Sequence, residues 1–306
     1  MEGIEKTEFL VNYEFITVSD VVKQAVAQEA LTIVENAPTT DNSSVPLASG
    51  FRDLDQIIQS FNSQQLVTVA VRPGKGKTAF LLSLIHNIAI AKGKRVAIFS
   101  PERSAIKLVQ RLVESETSNS AERVYSGTIK EADKPKVDKI IQQFIQSNIY
   151  IDDSTSLSIQ EIYDRCKFLI EVHHVDLILF DNLELYSKNI LDSNINFSEQ
   201  EKIMNSIHQL AKSIVPPIIV LSHTTNMNNL HDVNDSPTIA NVAPYISENS
   251  DVVIFVHRPN TLNINKPEFA DWKGFAELIV AKHPTVHTPA SVKLKFIESS
   301  DRFTDI

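Results

Sequence analysis

Hydrophobic positions along this chain form short apolar runs, and stretches with helical spacing separate most of them. The runs predict buried strands at 66–71, 95–100, 149–151, 177–180, 218–222, 252–256, 276–281 and 291–297. The intervening stretches predict helices at 78–91, 104–115, 118–147, 159–172 and 199–213. Buried strands that alternate with helices indicate a mainly parallel sheet with helices on both faces. The last strands have no helix between them, so they are predicted to pair antiparallel at one edge.

The region before the first strand divides into three parts. Residues 1–17 are mixed in character and predict an N-terminal arm. Residues 18–36 place apolar side chains at helical spacing, with Ser19 as a candidate cap, and residues 37–49 have the polar, Pro-containing composition of a linker. The main domain is predicted to cover 50–306. An isolated amphipathic helix has to bury its apolar stripe, either on a neighbouring subunit or on its own domain, and both alternatives remain open here.

Composition and charge narrow the class of protein. The 306 residues include 29 Lys and Arg and 38 Asp and Glu, which gives a net charge of −9, and 42% are hydrophobic. These values are typical of a globular protein with a core, and no apolar run approaches the roughly 18 residues that predict a membrane span. The single cysteine, Cys166, excludes an intramolecular disulfide and fits a reducing, cytoplasmic setting. The acidic balance gives no general attraction to nucleic acid but is compatible with a local basic channel.

A phosphate-binding loop is the strongest chemical signal in the sequence, and it lies between the strand 66–71 and the helix 78–91. Its residues are Arg72, Pro73, Gly74, Lys75, Gly76, Lys77, Thr78 and Ala79. Backbone N–H groups of such a loop, together with a helix N-terminus, bind phosphate oxygens. Lys77 is predicted to reach the β- and γ-phosphates, and Thr78 to hold Mg²⁺. The loop departs from the G-x-x-x-x-G-K-[ST] pattern at its first position, which is Val71.

Two carboxylates follow predicted strands and are candidates for the same site. Asp181 ends the strand 177–180, where an aspartate of the Walker-B type would hold Mg²⁺ through water. Glu102 follows the strand 95–100, where it could orient an attacking water molecule. Each residue also has an ordinary structural interpretation: Asp181 as a strand-end turn residue, and Glu102 as an acidic residue near a helix N-terminus.

Several segments together resemble the C-terminal ATPase domain of DnaB-type replicative helicases. They are 50–55, 72–79, 96–104, 108–112, 115–116, 149–153, 177–185, 276–282, 292–297 and 302–303, in the order that the family has. The resemblance implies an α/β fold of the RecA-like P-loop NTPase class, with ATP and Mg²⁺ as ligands. It also implies a homo-oligomeric ring, a hexamer in the family, that hydrolyses ATP at subunit interfaces and moves 5′ to 3′ on single-stranded DNA.

The resemblance also implies roles for individual residues. Lys77 and Thr78 match the Walker-A positions, Asp181 matches the Walker-B aspartate, and Glu102 matches the catalytic glutamate. His223 stands at the position of a sensor glutamine and can still donate a hydrogen bond to a γ-phosphate; a strand-end histidine without nucleotide contact is the alternative. The predicted helix 18–36 resembles the linker helix that docks on the adjacent subunit in the family.

Departures from the family pattern leave a second function open. The family's N-terminal helical domain is not expected here, because only about 17 residues precede the linker helix, too few for a domain. The family has Lys-x-Arg after the strand 276–281. Here Lys282 remains, with an expected role at a neighbouring subunit's site, and Pro284 replaces the arginine finger. Such a finger contributes about 10³–10⁵ in rate in other phosphate-loop enzymes.

The loops expected to face DNA are also unusual, since 186–202 has a net charge of −1 and 223–236 a net charge of −2. The candidate nucleic-acid contacts there are Lys188, Asn226, Asn228 and Asn229, although a solvated polar loop is an equally good interpretation. The leading hypothesis is a helicase motor that moves on single-stranded DNA during replication. The alternative is a degenerate relative that binds nucleotide and assembles without unwinding. A mixed ring, in which a related subunit supplies the arginine, reconciles both.

Overall fold

The computed structural model describes residues 13, 15–26, 46–182, 197–224, 235–259 and 272–306. Its strands are β1 (Ile16–Thr17), β2 (Leu66–Val71), β3 (Val96–Phe99), β4 (Ile149–Asp152), β5 (Leu177–Asp181), β6 (Ile218–His223), β7 (Val252–His257), β8 (Phe275–Lys282), β9 (Ala290–Ile297) and β10 (Arg302–Thr304). Its α-helices are α1 (Val18–Ala25), α2 (Arg52–Ile58), α3 (Lys77–Ile85), α4 (Ala105–Thr117), α5 (Ala121–Tyr125), α6 (Lys134–Gln146), α7 (Ile159–His173), α8 (Phe197–Ser213) and α9 (Pro244–Asn249). A π-helical turn, His86–Ile90, extends α3.

The described strands form one sheet in the order β1-β4-β3-β5-β6-β2-β7-β8-β9-β10. The strands from β4 to β7 in this order are parallel, whereas β1, β8, β9 and β10 pair antiparallel at the two edges. The prediction that the last strands pair antiparallel at one edge is therefore confirmed. The carboxyl ends of the parallel strands lie along one border of the sheet, the carboxyl edge. The segments that follow β2, β3, β5 and β6 all emerge there, where ligands bind in open α/β sheets.

Helices cover both faces of this sheet. Val67, Val69 and Val71 of β2 pack into a core with α1 to α6, whereas Leu66 and Ala70 pack into a second core with α7, α8 and α9. Both side-chain directions of a central strand are therefore buried, and this explains why the strands are continuous apolar runs in the sequence. Among the described helices, none has the length and apolar character needed to cross a membrane.

The N-terminal segment is covered by its own chain over its described part. Helix α1 buries Val18, Val21 and Val22 against α4 and α6, and β1 pairs with β4. The predicted helix 18–36 begins at Val18 but ends at Ala25, because Val26 has an extended backbone. Residues 27–45 lie outside the described part of the chain. Of the two surfaces left open for the apolar stripe, the described part of α1 therefore uses its own domain.

Some local predictions were wrong for identifiable reasons. The cap of α1 is Thr17 rather than Ser19, since the Thr17 hydroxyl accepts a hydrogen bond from the backbone N–H of Asp20 at 3.0 Å. The predicted helix 118–147 is divided into α5 and α6, because Gly127 takes a positive φ of 68° between them. Helices α2 and α9 and strands β1 and β10 are too short for periodicity to reveal them.

The C-terminal strand completes the support of the phosphate loop. The backbone N–H of Phe303 in β10 donates to the hydroxyl of Ser83 in α3 at 2.9 Å, and its ring meets Phe80 edge-on at 6.2 Å. These contacts hold Phe303 beneath the N-terminus of α3. The phosphate loop therefore rests on residues from the far end of the chain.

Candidate functional site

The predicted phosphate loop forms a tight turn between β2 and α3. Gly74 and Gly76 have positive φ values of 72° and 106°, and the N–H of Lys75 donates to the carbonyl of Arg72 at 3.0 Å. A side chain at Gly76 would place its Cβ only 3.1 Å from Cζ of Phe303. Both the backbone angle and the close approach therefore require glycine at this position.

The tip and the base of this loop differ in exposure. Pro73 and Gly74 are exposed at the tip, whereas Arg72 and the segment 77–79, which includes Thr78 and Ala79, are buried. The Arg72 guanidinium donates a hydrogen bond to the carbonyl of Asp235, which fixes the base of the loop. The first N–H groups of α3 have no intrahelical acceptors and point toward the loop, so the helix N-terminus is suited to an anion such as a phosphate.

Lys77 brings the two predicted carboxylates together. Its Nζ lies 3.0 Å from Oδ1 of Asp181 and 3.3 Å from Oε2 of Glu102. Strand β5 lies next to β3, and Phe99 is paired with Phe180, so the two strands deliver Asp181 and Glu102 to neighbouring points of the same edge. Lys77 is 8% exposed and Asp181 is completely buried, whereas Glu102 is 38% exposed.

Glu102 has the charge state that a water-orienting carboxylate needs. Partial burial acts to raise its pKa, whereas the nearby charge of Lys77 and its hydrogen bond act to lower it. Arg103 and a hydrogen bond from Asn182 act in the same direction, so the pKa of Glu102 is lowered and the group is ionised at neutral pH.

Asp181 and Thr78 carry oxygen atoms of the kind that a divalent cation binds. In the described part of the chain, no hydrogen-bond donor is aligned with either carboxylate oxygen of Asp181, although both are buried. Oδ1 already has the Lys77 ammonium at 3.0 Å, so Oδ2 is the oxygen left for a cation or its water ligands, and a cation at Oδ1 would replace Lys77. The described residues contain no cluster of three or more His, Cys, Asp or Glu that could hold a metal.

The structure places His223 next to the loop and Lys282 away from it. His223 ends β6 directly beside Val71, the last residue of β2 before the loop. Lys282 ends β8, which is antiparallel to β7, and it is paired with Val253 near the start of β7. Lys282 therefore lies at the amino ends of the parallel strands, opposite to the carboxyl edge that carries the phosphate loop. Its Nζ donates to the carbonyl of Ser247 there, at 2.7 Å.

A cationic residue that no sequence motif identified, Arg258, also lies at this site. It directly follows β7, and its Nη1 would lie 3.5 Å from a Cβ placed at Gly76. Its guanidinium carbon lies 3.5 Å from the centre of the Phe296 ring, which is a cation–π contact. Burial lowers the pKa of Lys75, and the charges of Arg258 and Arg72 lower it further. Arg258 lies two residues beyond the predicted strand 252–256, as Glu102 does beyond the predicted strand 95–100, so position relative to an apolar run is a signal that could have found it.

Asn182 was also missed. It follows Asp181 with a positive φ of 73° and is 6% exposed. No sequence pattern distinguishes it from an ordinary turn residue. The predicted nucleic-acid contacts Lys188, Asn226, Asn228 and Asn229 lie outside the described residues, so their positions are not tested.

Comparison with known proteins gives a consistent result. The family described as "DnaB-like helicase C terminal domain" matches residues 46–305. The "Replicative DNA helicase DnaB" of Geobacillus stearothermophilus is 27% identical over 274 residues, which are 89% of this chain and 59% of that protein. The "Probable replicative DNA helicase" of Trieres chinensis is 31% identical over 268 residues, which are 85% of this chain and 57% of that protein. The chain thus spans less than two thirds of the length of these relatives.

Two solved structures share the fold. One of them, titled as an ATPase domain, superimposes with a TM-score of 0.73 at 22% identity, and covers 87% of this chain and 93% of that chain. The structure titled "The Structure Of A DnaB-Like Replicative Helicase And Its Interactions With Primase" gives a TM-score of 0.73 at 21% identity, over 87% of this chain and 63% of that chain. The predicted RecA-like α/β fold is therefore confirmed. Since the family match extends over most of its length, the chain belongs to the DnaB-like helicase C-terminal domain family.

Proposed function

We propose that this chain is the ATP-hydrolysing motor of a replicative DNA helicase, acting in the cytoplasm as a ring on single-stranded DNA. The observation that carries the proposal is the meeting of Lys77, Glu102 and Asp181 at the carboxyl edge of the sheet, directly beside the phosphate loop. The helicase names of the relatives support the same activity. The site residues and their roles are part of the proposal.

The phosphates of ATP bind to the N–H groups of residues 72–79 and the N-terminus of α3. Lys77 then exchanges its contacts with Asp181 and Glu102 for the β- and γ-phosphate oxygens. Thr78, through its hydroxyl, and Asp181, through its carboxylate, are the residues that would hold Mg²⁺. When bound, Mg²⁺ neutralises charge that develops on the phosphate oxygens. Arg258, beside the loop, adds positive charge near the nucleotide.

Hydrolysis requires an oriented water molecule. Glu102 accepts a hydrogen bond from this water and directs its oxygen toward the γ-phosphorus. A new P–O bond forms, and the bond from the γ-phosphorus to the bridging oxygen breaks. ADP and inorganic phosphate are the products, and the proton of the water passes through Glu102 to phosphate. His223, level with Val71 in the sheet, detects whether the γ-phosphate is present.

The position of Lys282 supports a ring assembly. Because Lys282 lies at the opposite edge of the sheet from Lys77, we expect it to act on the ATP of a neighbouring subunit. A homo-oligomeric ring, a hexamer, supplies Lys282 to every site. A mixed ring would additionally supply an arginine from a related subunit in place of Pro284. Lys188, Asn226, Asn228 and Asn229 are the proposed contacts to DNA.

Steady-state ATP hydrolysis, measured with and without single-stranded DNA, tests the proposal. Glu102→Gln is expected to lower turnover by about 10²–10⁴-fold, because it removes the group that orients the water. Lys77→Ala is expected to abolish turnover as well. Glu122→Gln makes the same chemical change at an exposed residue of α5 and should have no effect. Tight ATP binding without turnover would contradict the motor and leave a nucleotide-dependent assembly protein.

The role of Lys282 between subunits predicts complementation. Lys282→Ala and Glu102→Gln chains are each expected to be nearly inactive as homo-oligomers. In co-expressed mixed rings, a Lys282→Ala subunit retains Glu102 and can receive Lys282 from a Glu102→Gln neighbour. Turnover of the mixture should therefore exceed the sum of the two separate preparations. Turnover equal to that sum would show that Lys282 does not act across the interface.

A further inference from the structure

Asn182 is a buried polar residue at this site, and the proposed steps of ATP hydrolysis give it no role. It follows Asp181 at the end of β5 and has a left-handed backbone, which asparagine tolerates better than most residues. Its amide donates a hydrogen bond to the Glu102 carboxylate. Its Oδ1 is buried and has no hydrogen-bond donor in the part of the chain that the structure describes.

An unsatisfied oxygen at this depth points to a missing partner. Buried side-chain oxygens nearly always accept a hydrogen bond from protein or water, and exceptions concentrate at functional sites. A non-glycine residue held in the left-handed region shows the same tendency. The two features coincide in Asn182, beside the carboxylate that is proposed to orient water.

We propose that Asn182 orients the attacking water together with Glu102. One hydrogen of the water is donated to the Glu102 carboxylate, and the other is donated to Oδ1 of Asn182. A lone pair of the water oxygen is then left to face the γ-phosphorus. The Asn182 amide meanwhile holds the Glu102 carboxylate in place. This inference rests on the proposed function, because it assigns a residue to the same hydrolytic step.

The side chain can be removed without disturbing the backbone. Glycine adopts a φ of 73° without strain, so Asn182→Gly deletes the amide and leaves the loop geometry intact. We expect kcat for ATP to fall by about 10- to 100-fold, because the water is no longer fixed, while KM is unchanged. Ser118→Gly is the matched control, since Ser118 has a φ of 56° and is exposed at the end of α4. It should alter neither constant.

A second variant guards against a folding artefact. Asn182→Asp keeps the size and the backbone preference of asparagine, but it replaces the donating amide with a carboxylate beside Glu102. It should lower kcat at least as much as Asn182→Gly does. The double variant Glu102→Gln with Asn182→Gly should be no slower than Glu102→Gln alone in single-turnover hydrolysis, because both residues act on one water molecule.

Binding of ADP with aluminium fluoride gives a readout that does not depend on turnover. This complex mimics the transferring phosphoryl group with its water in line, so the unaltered chain should bind ADP more tightly when aluminium fluoride is present. Asn182→Gly and Asn182→Asp should lose most of this gain and bind ADP alone normally. The inference would be overturned if the Asn182 variants bound ADP with aluminium fluoride as tightly as the unaltered chain does. It would also be overturned if the double variant were slower than Glu102→Gln by the full factor that Asn182→Gly causes alone. Full turnover in both Asn182 variants while Glu102→Gln is inactive would overturn this inference alone. Absence of turnover in the unaltered chain would overturn the proposed function with it.

Discussion

Replacing Lys77 with methionine is expected to lower the free energy of unfolding of the nucleotide-free protein by about 3–5 kcal/mol. Asp181 is completely buried, and its ionic contact in the described residues is the Lys77 ammonium at 3.0 Å. The methionine side chain fills a similar volume but leaves the carboxylate buried without a cation. Removing one member of a buried pair is costly for this reason. Urea unfolding at neutral pH measures the change directly.

Neutralising Asp181 as well should restore the stability that Lys77→Met loses. Lys77→Met combined with Asp181→Asn removes both charges, so most of the loss should disappear although turnover stays absent. Asp181→Asn alone should be mild, because Lys77 keeps Glu102 at 3.3 Å. Equal stability of Lys77→Met and the unaltered chain would contradict the argument. The double variant is also the better inactive control for ATP hydrolysis, because Lys77 variants that retain Asp181 are expected to be partly destabilised.

The phosphate loop and its two carboxylates could be predicted because each signal is local. An apolar run followed by polar residues marks a strand that ends where ligands bind; Asp181 comes directly after its run, and Glu102 lies two residues beyond the predicted strand 95–100. Lys77 and Thr78 follow from the loop pattern itself. The sheet then brings these residues together, because β3 and β5 are adjacent and parallel.

The remaining features depend on tertiary structure that periodicity does not report. The left-handed backbone of Asn182 and the approach of Phe303 to Gly76 arise from contacts between distant segments. Arg258 is near the loop only because β7 lies beside β2 in the sheet, although far from it in sequence. Thr17, rather than Ser19, caps α1 because the strand pairing of β1 with β4 determines where the helix begins.

The position of Lys282 illustrates how topology adds to a resemblance. The family pattern places a cation after the strand 276–281 and implies that it serves the ATP of a neighbouring subunit. The antiparallel pairing of β8 with β7 puts this cation at the edge opposite the phosphate loop of its own chain. The strand register, as well as the resemblance, therefore supports a site that a neighbouring subunit completes.

Among the glycines that the structure describes, Gly50 is the one at which adding a single methyl group should damage the fold most. A Cβ there would lie 2.5 Å from Cβ of Asn87, closer than any real contact of this kind, and φ is 83°. The turn cannot move away easily, because both oxygens of Asp55 accept hydrogen bonds from the backbone N–H groups of Ser49 and Gly50, at 2.7 Å and 3.0 Å. Asn87 is held as well, since its amide donates to the carbonyl of Ser49 at 3.3 Å.

Gly50→Ala is therefore expected to lower the free energy of unfolding by about 3 kcal/mol, as the sum of backbone strain and overpacking. Gly93→Ala separates the two contributions, because Gly93 has a φ of 64° but no atom within 4 Å of the added Cβ. It should show the strain alone, about 1 kcal/mol. Denaturant unfolding measures the loss in the free energy of unfolding for each variant. The difference between the two losses is the contribution of the contact with Asn87. Equal losses in the two variants would mean that the Asn87 contact relaxes freely and that the turn before α2 is not a rigid support of the π-helical turn.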